Sequence, residues 1–444
     1  MAEAHARCRW LRKHLSHVQV GLLACAAAIL ILFPALLAEP LRLDERALLV
    51  GGAASGIREA EVVRALQVQR VVGHGLTRGN LTDCGVPALA AAWEDTVNRQ
   101  PPGPLMVQGV LMHTMVPPKR DWGPEGMALV LEYHDCSSAA AAAGLLAVLT
   151  EHFSDADWLA KGLGVALVDG RDVVRARQAL EALLAAHSRP PHGPASQLAF
   201  PPPTSLHGAA VFSLASVQDS TPAMLGMRLH GRSGRLPNAD LAATLSRVAE
   251  LTPGPARFDR AGIFTWAVLE PTLRSFLATA AGAGDGLHAV FLEAGTDAAT
   301  LDWPLPEPSD RGAMRQALRS MEGSLRALSN LEERLHHASS MYWPAGGRHV
   351  VDGAALLAAG IACLVALALE LGHSEDADPN PSSHTVVGLP SLAALSLRAP
   401  SPLAPLPLAL AVPLCLAWDC APTLVFLSAQ LASILVCRCV PVLL

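Results

Sequence analysis

The sequence predicts a membrane-anchored α/β protein, and three observations carry that prediction. A charge-free apolar segment runs from Val18 to Ala38, short apolar runs alternate with helix-period stretches from about Leu41 to Trp343, and two more apolar stretches follow, Gly353 to Leu369 and Leu403 to Leu444. Composition agrees: 444 residues that are 51% hydrophobic and 16% charged are more apolar than a typical soluble chain and exceed one average domain. The net charge of −6, with no Lys/Arg run interleaved with aromatics, excludes nucleic acid as a partner.

The elements follow in order. Residues 1–17 form a cytosolic N-terminus and 18–38 a transmembrane anchor, because 21 uncharged residues at 1.5 Å rise span about 30 Å of hydrocarbon. A cleaved signal peptide would carry a shorter apolar region and small residues at both cleavage positions, where Leu36 and Ala38 supply one. Arg7, Arg9, Arg12 and Lys13 precede the anchor and Glu39, Asp44 and Glu45 follow it, which leaves the N-terminus in the cytosol and the next domain in the lumen. Asn80-Leu81-Thr82, an N-glycosylation sequon, falls on that lumenal side. Of nine cysteines, Cys84 and Cys136 alone lie between the anchor and the next apolar segment, so at most one intrachain disulfide can form there.

Residues 39–345 are expected to form one lumenal domain. GMALVLEY (Gly126 to Tyr133), LGVALVD (Leu163 to Asp169) and AAVFSLA (Ala209 to Ala215) read as buried strands, and Ala139 to His152 between the first two has helical spacing, which gives strand, helix, strand and a mostly parallel sheet. Arg311 to Tyr342 carries apolar residues at steps of three and four and reads as one long amphipathic helix. A second transmembrane helix is expected at 350–371, then a polar linker at 372–402, and a proline-interrupted span or hairpin at 403–444.

His134 and Asp135 stand at the C-terminal end of a predicted strand, where a metallohydrolase would place ligands, with Asp172 after the next strand. The layout resembles the zinc aminopeptidase fold, but its later ligands fail to appear. His134 and Asp135 are adjacent, Cys136 to Thr150 holds no carboxylate, Arg171 stands where an acid belongs, and Ser213 stands where the third strand would need one. No metal or other cofactor is expected. A Cys136/His134 nucleophile lacks an orienting partner, and His336 and His337 are adjacent rather than four apart on a helix.

Three stretches carry a more particular resemblance: Gly144 to Asp172, GRLPNADL (Gly234 to Leu241), and LSNLEERLHHASSMYWPAGGRHV (Leu328 to Val350) running into an apolar helix. Together they resemble the Gaa family, the GPI-anchor attachment subunit of GPI transamidase, over roughly residues 10–372. The resemblance implies an aminopeptidase-like three-layer lumenal domain with a degenerate active site near His134, Asp135 and Asp172, flanked by membrane helices in the endoplasmic reticulum membrane. It implies a non-catalytic subunit that presents the GPI glycolipid amine to the acyl-enzyme of a separate cysteine-protease-like subunit, with the other transamidase subunits, the glycolipid and the membrane as partners. Pro237, Asn238, Asp240, Glu333, Arg334 and His336 are its motif positions, either partner contacts or a loop turn and an interhelical ion pair. A membrane-anchored lumenal metallopeptidase or peptide-bond-forming enzyme is the alternative. Family members generally carry more C-terminal spans and retain acids where this chain has Cys136, Arg171 and Ser213.

Overall fold

The computed structural model of the protein describes residues 39–40, 55–78, 84–96, 105–119, 125–187, 205–215, 224–258, 284–304, 310–331, 335, 342–344 and 349–352. The expected membrane segments at 18–38 and 403–444, the linker at 372–402 and all but the first three residues of 350–371 lie outside them. So do Asn80, Glu333, Arg334 and His336. The chain divides into two compact units, one of residues 1–39, 262–272 and 350–444, the other of residues 40–261 and 273–349. Everything below concerns the second unit.

Its helices and strands are α1 (Glu59–Arg78), α2 (Val86–Thr96), β1 (Met106–Gln108), β2 (Leu111–Val116), β3 (Glu125–Tyr133), α3 (Cys136–Asp155), β4 (Gly162–Asp169), α4 (Val173–His187), β5 (Ser205–Ala215), β6 (Met224–Arg228), α5 (Ala239–Leu251), β7 (Arg257–Phe258), α6 (His288–Glu293), β8 (Ala298–Pro304), α7 (Arg311–Ser329) and β9 (Tyr342–Pro344). Eight strands form one sheet in the order β1-β2-β4-β3-β5-β8-β6-β7. Its centre is parallel, β4 with β3, β3 with β5 and β5 with β8. Towards the margins β1–β2, β2–β4 and β6–β8 are antiparallel and the edge pair β6–β7 is parallel again, so the sheet is mixed. The three strands expected from apolar runs all appear, each extended by one to four residues at its N-terminal end.

Strands covered on both faces must be apolar on both faces, which is why these runs do not alternate. Ala128, Val130, Ala166, Val168, Ala209 and Val211 face Leu180 and Leu183 of α4 and Val290 and Phe291 of α6. The intervening Leu129, Leu131, Leu167 and Phe212 are just as buried on the opposite face, where α3 and α7 pack. Helix, sheet and helix thus make three layers.

Helix α3 is the described helix long and apolar enough to cross a membrane, yet 78% of its most apolar window is buried inside the fold. Its alanine tract is a close-packing face instead. A Cβ added at Gly144 would lie 2.5 Å from the Ala65 carbonyl oxygen of α1, so the two helices touch backbone to backbone and only glycine fits.

Helix α7 is shorter than the periodicity predicts. It ends at Ser329, with Asn330 as its C-cap, and Leu331 and Leu335 lie beyond the helix. The leucine spacing continues past the stop because buried loop residues and buried helix residues are both apolar. Ser-Asn is the local signal that the helix ends, since both side chains compete for backbone hydrogen bonds.

Mid-way along α7, Glu322 ties three elements together. Its carboxylate accepts from Ser55 Oγ, from the Gly56 N–H at 2.9 Å and from Arg326, and it lies 3.4 Å from Nε2 of His152 on α3. His152 Nδ1 lies 2.8 Å from Glu61 of α1. Burial alone would raise the Glu322 pKa, but the bonds from His152, Ser55 and Gly56 and the charge of Arg326 outweigh it and bring it to about 2. Burial opposes protonation of His152, and Glu322 with Glu61 overcomes it, so the imidazole is held above its ordinary pKa.

The signs follow. Glu322 contributes stability above the ordinary carboxylate pKa that is lost as pH falls towards about 2, and His152 contributes stability below its ordinary pKa that is lost as pH rises through the elevated one. Glu322→Gln is expected to cost about 3 kcal/mol in urea unfolding at neutral pH, because His152 and Arg326 lose their buried counter-charge. It is also expected to flatten the acid limb of the stability curve below the ordinary carboxylate pKa.

Candidate functional site

A polar group gathers where the parallel strands end. Glu132, the penultimate residue of β3, is 3% exposed, and a buried carboxylate needs a positive partner. Arg228 at the end of β6 supplies it. Its guanidinium lies 3.5 Å from Glu132 Oε2, donates from Nε to Asp302 Oδ1 at 2.9 Å, and donates from Nη1 to the Asp285 carbonyl at 2.7 Å. Burial works against the charge of Arg228, but Asp302 and Glu132 raise its pKa above the ordinary value, so it stays a cation.

Beneath Arg228, Asp285 sits between two histidines, 3.5 Å from His230 Nδ1 and 3.3 Å from His288 Nε2. Burial would raise the Asp285 pKa, and His230, His288 and Arg228 lower it. His288 is completely enclosed, with Nδ1 2.8 Å from Thr300 Oγ1. Burial pushes its pKa down to about 4 despite Asp285, so it is neutral at physiological pH.

His134 lies one residue past β3, with Nε2 2.9 Å from Ser213 Oγ on β5 and 3.9 Å from Glu132 Oε1. The loop after β4 crosses closely here, for a Cβ at Gly170 would lie 2.7 Å from both Glu132 Cγ and His134 Cε1. Asp135 does not turn towards this group. It caps α3, accepting from Ser138 N–H at 2.7 Å, while Ser138 Oγ returns to the Asp135 N–H in a capping box.

Asp172 likewise sits at the start of α4. It accepts from the Arg175 N–H at 3.1 Å and pairs with the Arg175 side chain at 3.2 Å. Arg171, expected to stand in an acid's place, folds back on Asp169 through two bonds of 2.9 and 2.6 Å. Burial would raise the Asp169 pKa, but Arg171 lowers it.

Cys84 and Cys136 are joined as a disulfide, with Cα atoms 5.2 Å apart. Cys136 is therefore no free thiol beside His134 in this state, consistent with the sequence giving a Cys/His nucleophile no orienting partner. Next to the disulfide a cleft of about 810 Å3 opens, walled by Gly85 and Pro87, the Gly109 turn, and the Asp169–Arg171 and Asp172–Arg175 pairs.

The zinc of the aminopeptidase fold does not fit this donor set. Catalytic zinc is held by histidine nitrogens and carboxylate oxygens with no cation beside them, and here Glu132 and Asp302 face the Arg228 guanidinium, Asp169 pairs with Arg171, and Asp135 and Asp172 cap helix N-termini. Among the described residues no three His, Cys, Asp or Glu converge as a metal site.

Sequence reading missed Glu132, Arg228, Asp285, His230, His288 and Asp302. Two of them had a signal, since Glu132 in MALVLEY and Asp302 in AATLDWP are single acids inside apolar runs, a pattern that demands a buried cation. Nothing local marks Arg228, 96 residues after Glu132, as that cation.

The described motif residues, Pro237, Asn238 and Asp240, are held within the domain. Asn238 N-caps α5, accepting from the Asp240 N–H at 2.8 Å, and its own N–H donates to Asp297 at 2.7 Å. The Pro237 carbonyl accepts from the buried Tyr342 hydroxyl at 3.1 Å, and Asp240 is fully buried. This segment forms a turn and helix cap.

A three-layer α/β domain of mixed sheet, with strand-end acids neutralised by its own arginines, defines the class of this protein. Residues 109–343 match the family described as Gaa1-like, GPI transamidase component, and the chain belongs to it. Curated proteins give no sequence match. Among solved structures it is similar to the Legionella pneumophila LapA aminopeptidase, at 13% identity and a TM-score of 0.35 over 66% of this chain and 78% of that one. It is also similar to a Bacteroides vulgatus protein described as a zinc-dependent exopeptidase, at 13% identity and a TM-score of 0.31 over 64% of this chain and 100% of that one. Likenesses at these TM-scores establish no shared fold.

Removing Arg228 strands Glu132 as a buried charge. Arg228→Met is expected to cost about 3 kcal/mol in urea unfolding. Adding Glu132→Gln is expected to recover at least half of that loss, a coupling that a double-mutant cycle reads directly.

Proposed function

We propose that this GPI transamidase component is non-catalytic and contributes by positioning: it holds the amine of the GPI glycolipid near the acyl-enzyme formed on a separate cysteine-protease-like subunit. The observation that carries this reading is the state of the strand-end acids. An enzyme that activates water or a metal keeps one carboxylate or imidazole poised for it, and here the carboxylates of Glu132, Asp302 and Asp169 are committed to guanidinium groups and those of Asp135 and Asp172 to helix caps, while Asp285 lies between two histidines beside Arg228. Family membership supplies the reaction in which the component takes part.

Positioning alone has chemical value. Aminolysis of an acyl-enzyme needs the amine within attack distance and aligned, and holding two reactants in that geometry replaces a bimolecular encounter. The glycolipid is membrane-bound, so a component that presents it belongs in the endoplasmic reticulum membrane. We assign that anchoring to segments 18–38, 350–371 and 403–444, with the domain of residues 39–345 in the lumen beside the other subunits.

The test separates positioning from chemistry at the strand ends. In cells lacking the endogenous component, His134→Ala and Ser213→Ala are each expected to restore surface display of a GPI-anchored reporter to within about twofold of the wild-type chain, at matched protein level. Loss of display by about a hundredfold, with the variant folded and still co-purifying with the complex, would show that the pair does chemistry.

A further inference from the structure

We propose that the Cys84–Cys136 bond is a site of thiol–disulfide exchange, opened by a dithiol that attacks Cys136 and displaces Cys84 as a thiolate held by Arg171. The two sulfurs are not equivalent. Cys84 is 1% exposed ahead of α2, whereas Cys136, the first residue of α3, is half-buried. An incoming thiolate therefore reaches Cys136.

The buried sulfur is prepared to leave. Arg171 Nη1 lies 3.4 Å from Cys84 Sγ, while Nε and Nη2 of the same guanidinium are fixed on Asp169 at 2.9 and 2.6 Å. That aims a cation at the leaving sulfur before any bond breaks. A sulfur atom in a disulfide is a weak acceptor and a thiolate a strong one, so this contact gains most in the reduced state. A positive neighbour lowers the pKa of a thiol, and a low-pKa thiol is the better leaving group.

In the first step a thiolate of the dithiol bonds to Cys136 Sγ, the Cys84–Cys136 bond breaks, and its electron pair leaves on Cys84. In the second, the other sulfur of the reagent gives up its proton, attacks its partner in the mixed disulfide and releases Cys136. The dithiol is oxidised to a disulfide and the protein pair is reduced by two electrons. The two protons of the dithiol pass to Cys136 and to Cys84 or solvent.

Reduction removes a covalent tie between the start of α2 and the start of α3, leaving the Tyr133 hydroxyl on the Cys84 carbonyl at 3.0 Å. Gly85, Val86 and Pro87, which follow Cys84 directly, wall the 810 Å3 cleft. The modification thus changes the shape of that cleft and leaves the Arg228 group intact.

The full chain in mild detergent is equilibrated with graded dithiothreitol, and free thiols are trapped with a maleimide and mapped by mass spectrometry. The wild-type pair is expected to reduce while the protein stays folded. Arg171→Gln should lower the exchange equilibrium constant about tenfold, and Arg171→Lys, which keeps the charge, should stay within about threefold. Brief treatment of the wild-type chain with glutathione, whose single thiol stops at the mixed disulfide, should place the adduct on Cys136. The proposal fails if the adduct maps to Cys84, if thiols appear only as the protein unfolds, or if Arg171→Gln behaves as wild type.

Discussion

A carboxylate buried at the end of a central strand has to be answered by a positive charge, and in this domain Arg228 answers Glu132. Glu132 lies on β3, the strand between β4 and β5, while Arg228 arrives from β6 by way of the antiparallel β6–β8 pair. The ion pair therefore joins the parallel centre of the sheet to its antiparallel margin. Asp302 lies opposite Gly226 on β6, where the missing side chain leaves room for its carboxylate, and shares the same guanidinium. Charge balance at this site and strand order are one constraint.

The same constraint shapes the chemistry. A bound dication and a guanidinium both satisfy a pair of carboxylates, but they differ in what they leave available. A metal keeps open coordination positions for water or substrate. A guanidinium spends its donors on fixed oxygens and offers none. At the described strand ends the acids and histidines thereby surround a fixed cation, Arg228, which is the feature the proposed positioning role rests on. Buried ion pairs of this kind add little net stability over apolar packing, although breaking one is costly.

Much of the architecture was legible because both faces of the central strands are covered. Parallel strands under two helical layers become continuous apolar runs, so MALVLEY, LGVALVD and AAVFSLA announced themselves, and the alanine tract between the first two announced a helix. The margins were not legible: β1, β6 and β7 span three, five and two residues, too short for periodicity to register. The end of α7 was missed because leucines continue beyond Ser329 while the helix does not. At the site, sequence order brought His134, Asp135 and Asp172 to strand ends correctly. It could not show that two of the three serve as caps, since an aspartate before a helix and an aspartate ligand look alike until the backbone N–H groups are in place.

The central claim is that Arg228, rather than a bound cation, answers the strand-end carboxylates Glu132 and Asp302. The direct measurement is zinc binding to the purified full-length chain in detergent, by calorimetry at neutral pH together with elemental analysis of the protein as isolated. The account predicts substoichiometric zinc as isolated and no saturable uptake at micromolar concentrations. One tightly held zinc per chain, lost together with a rise in instability on chelation, would contradict it.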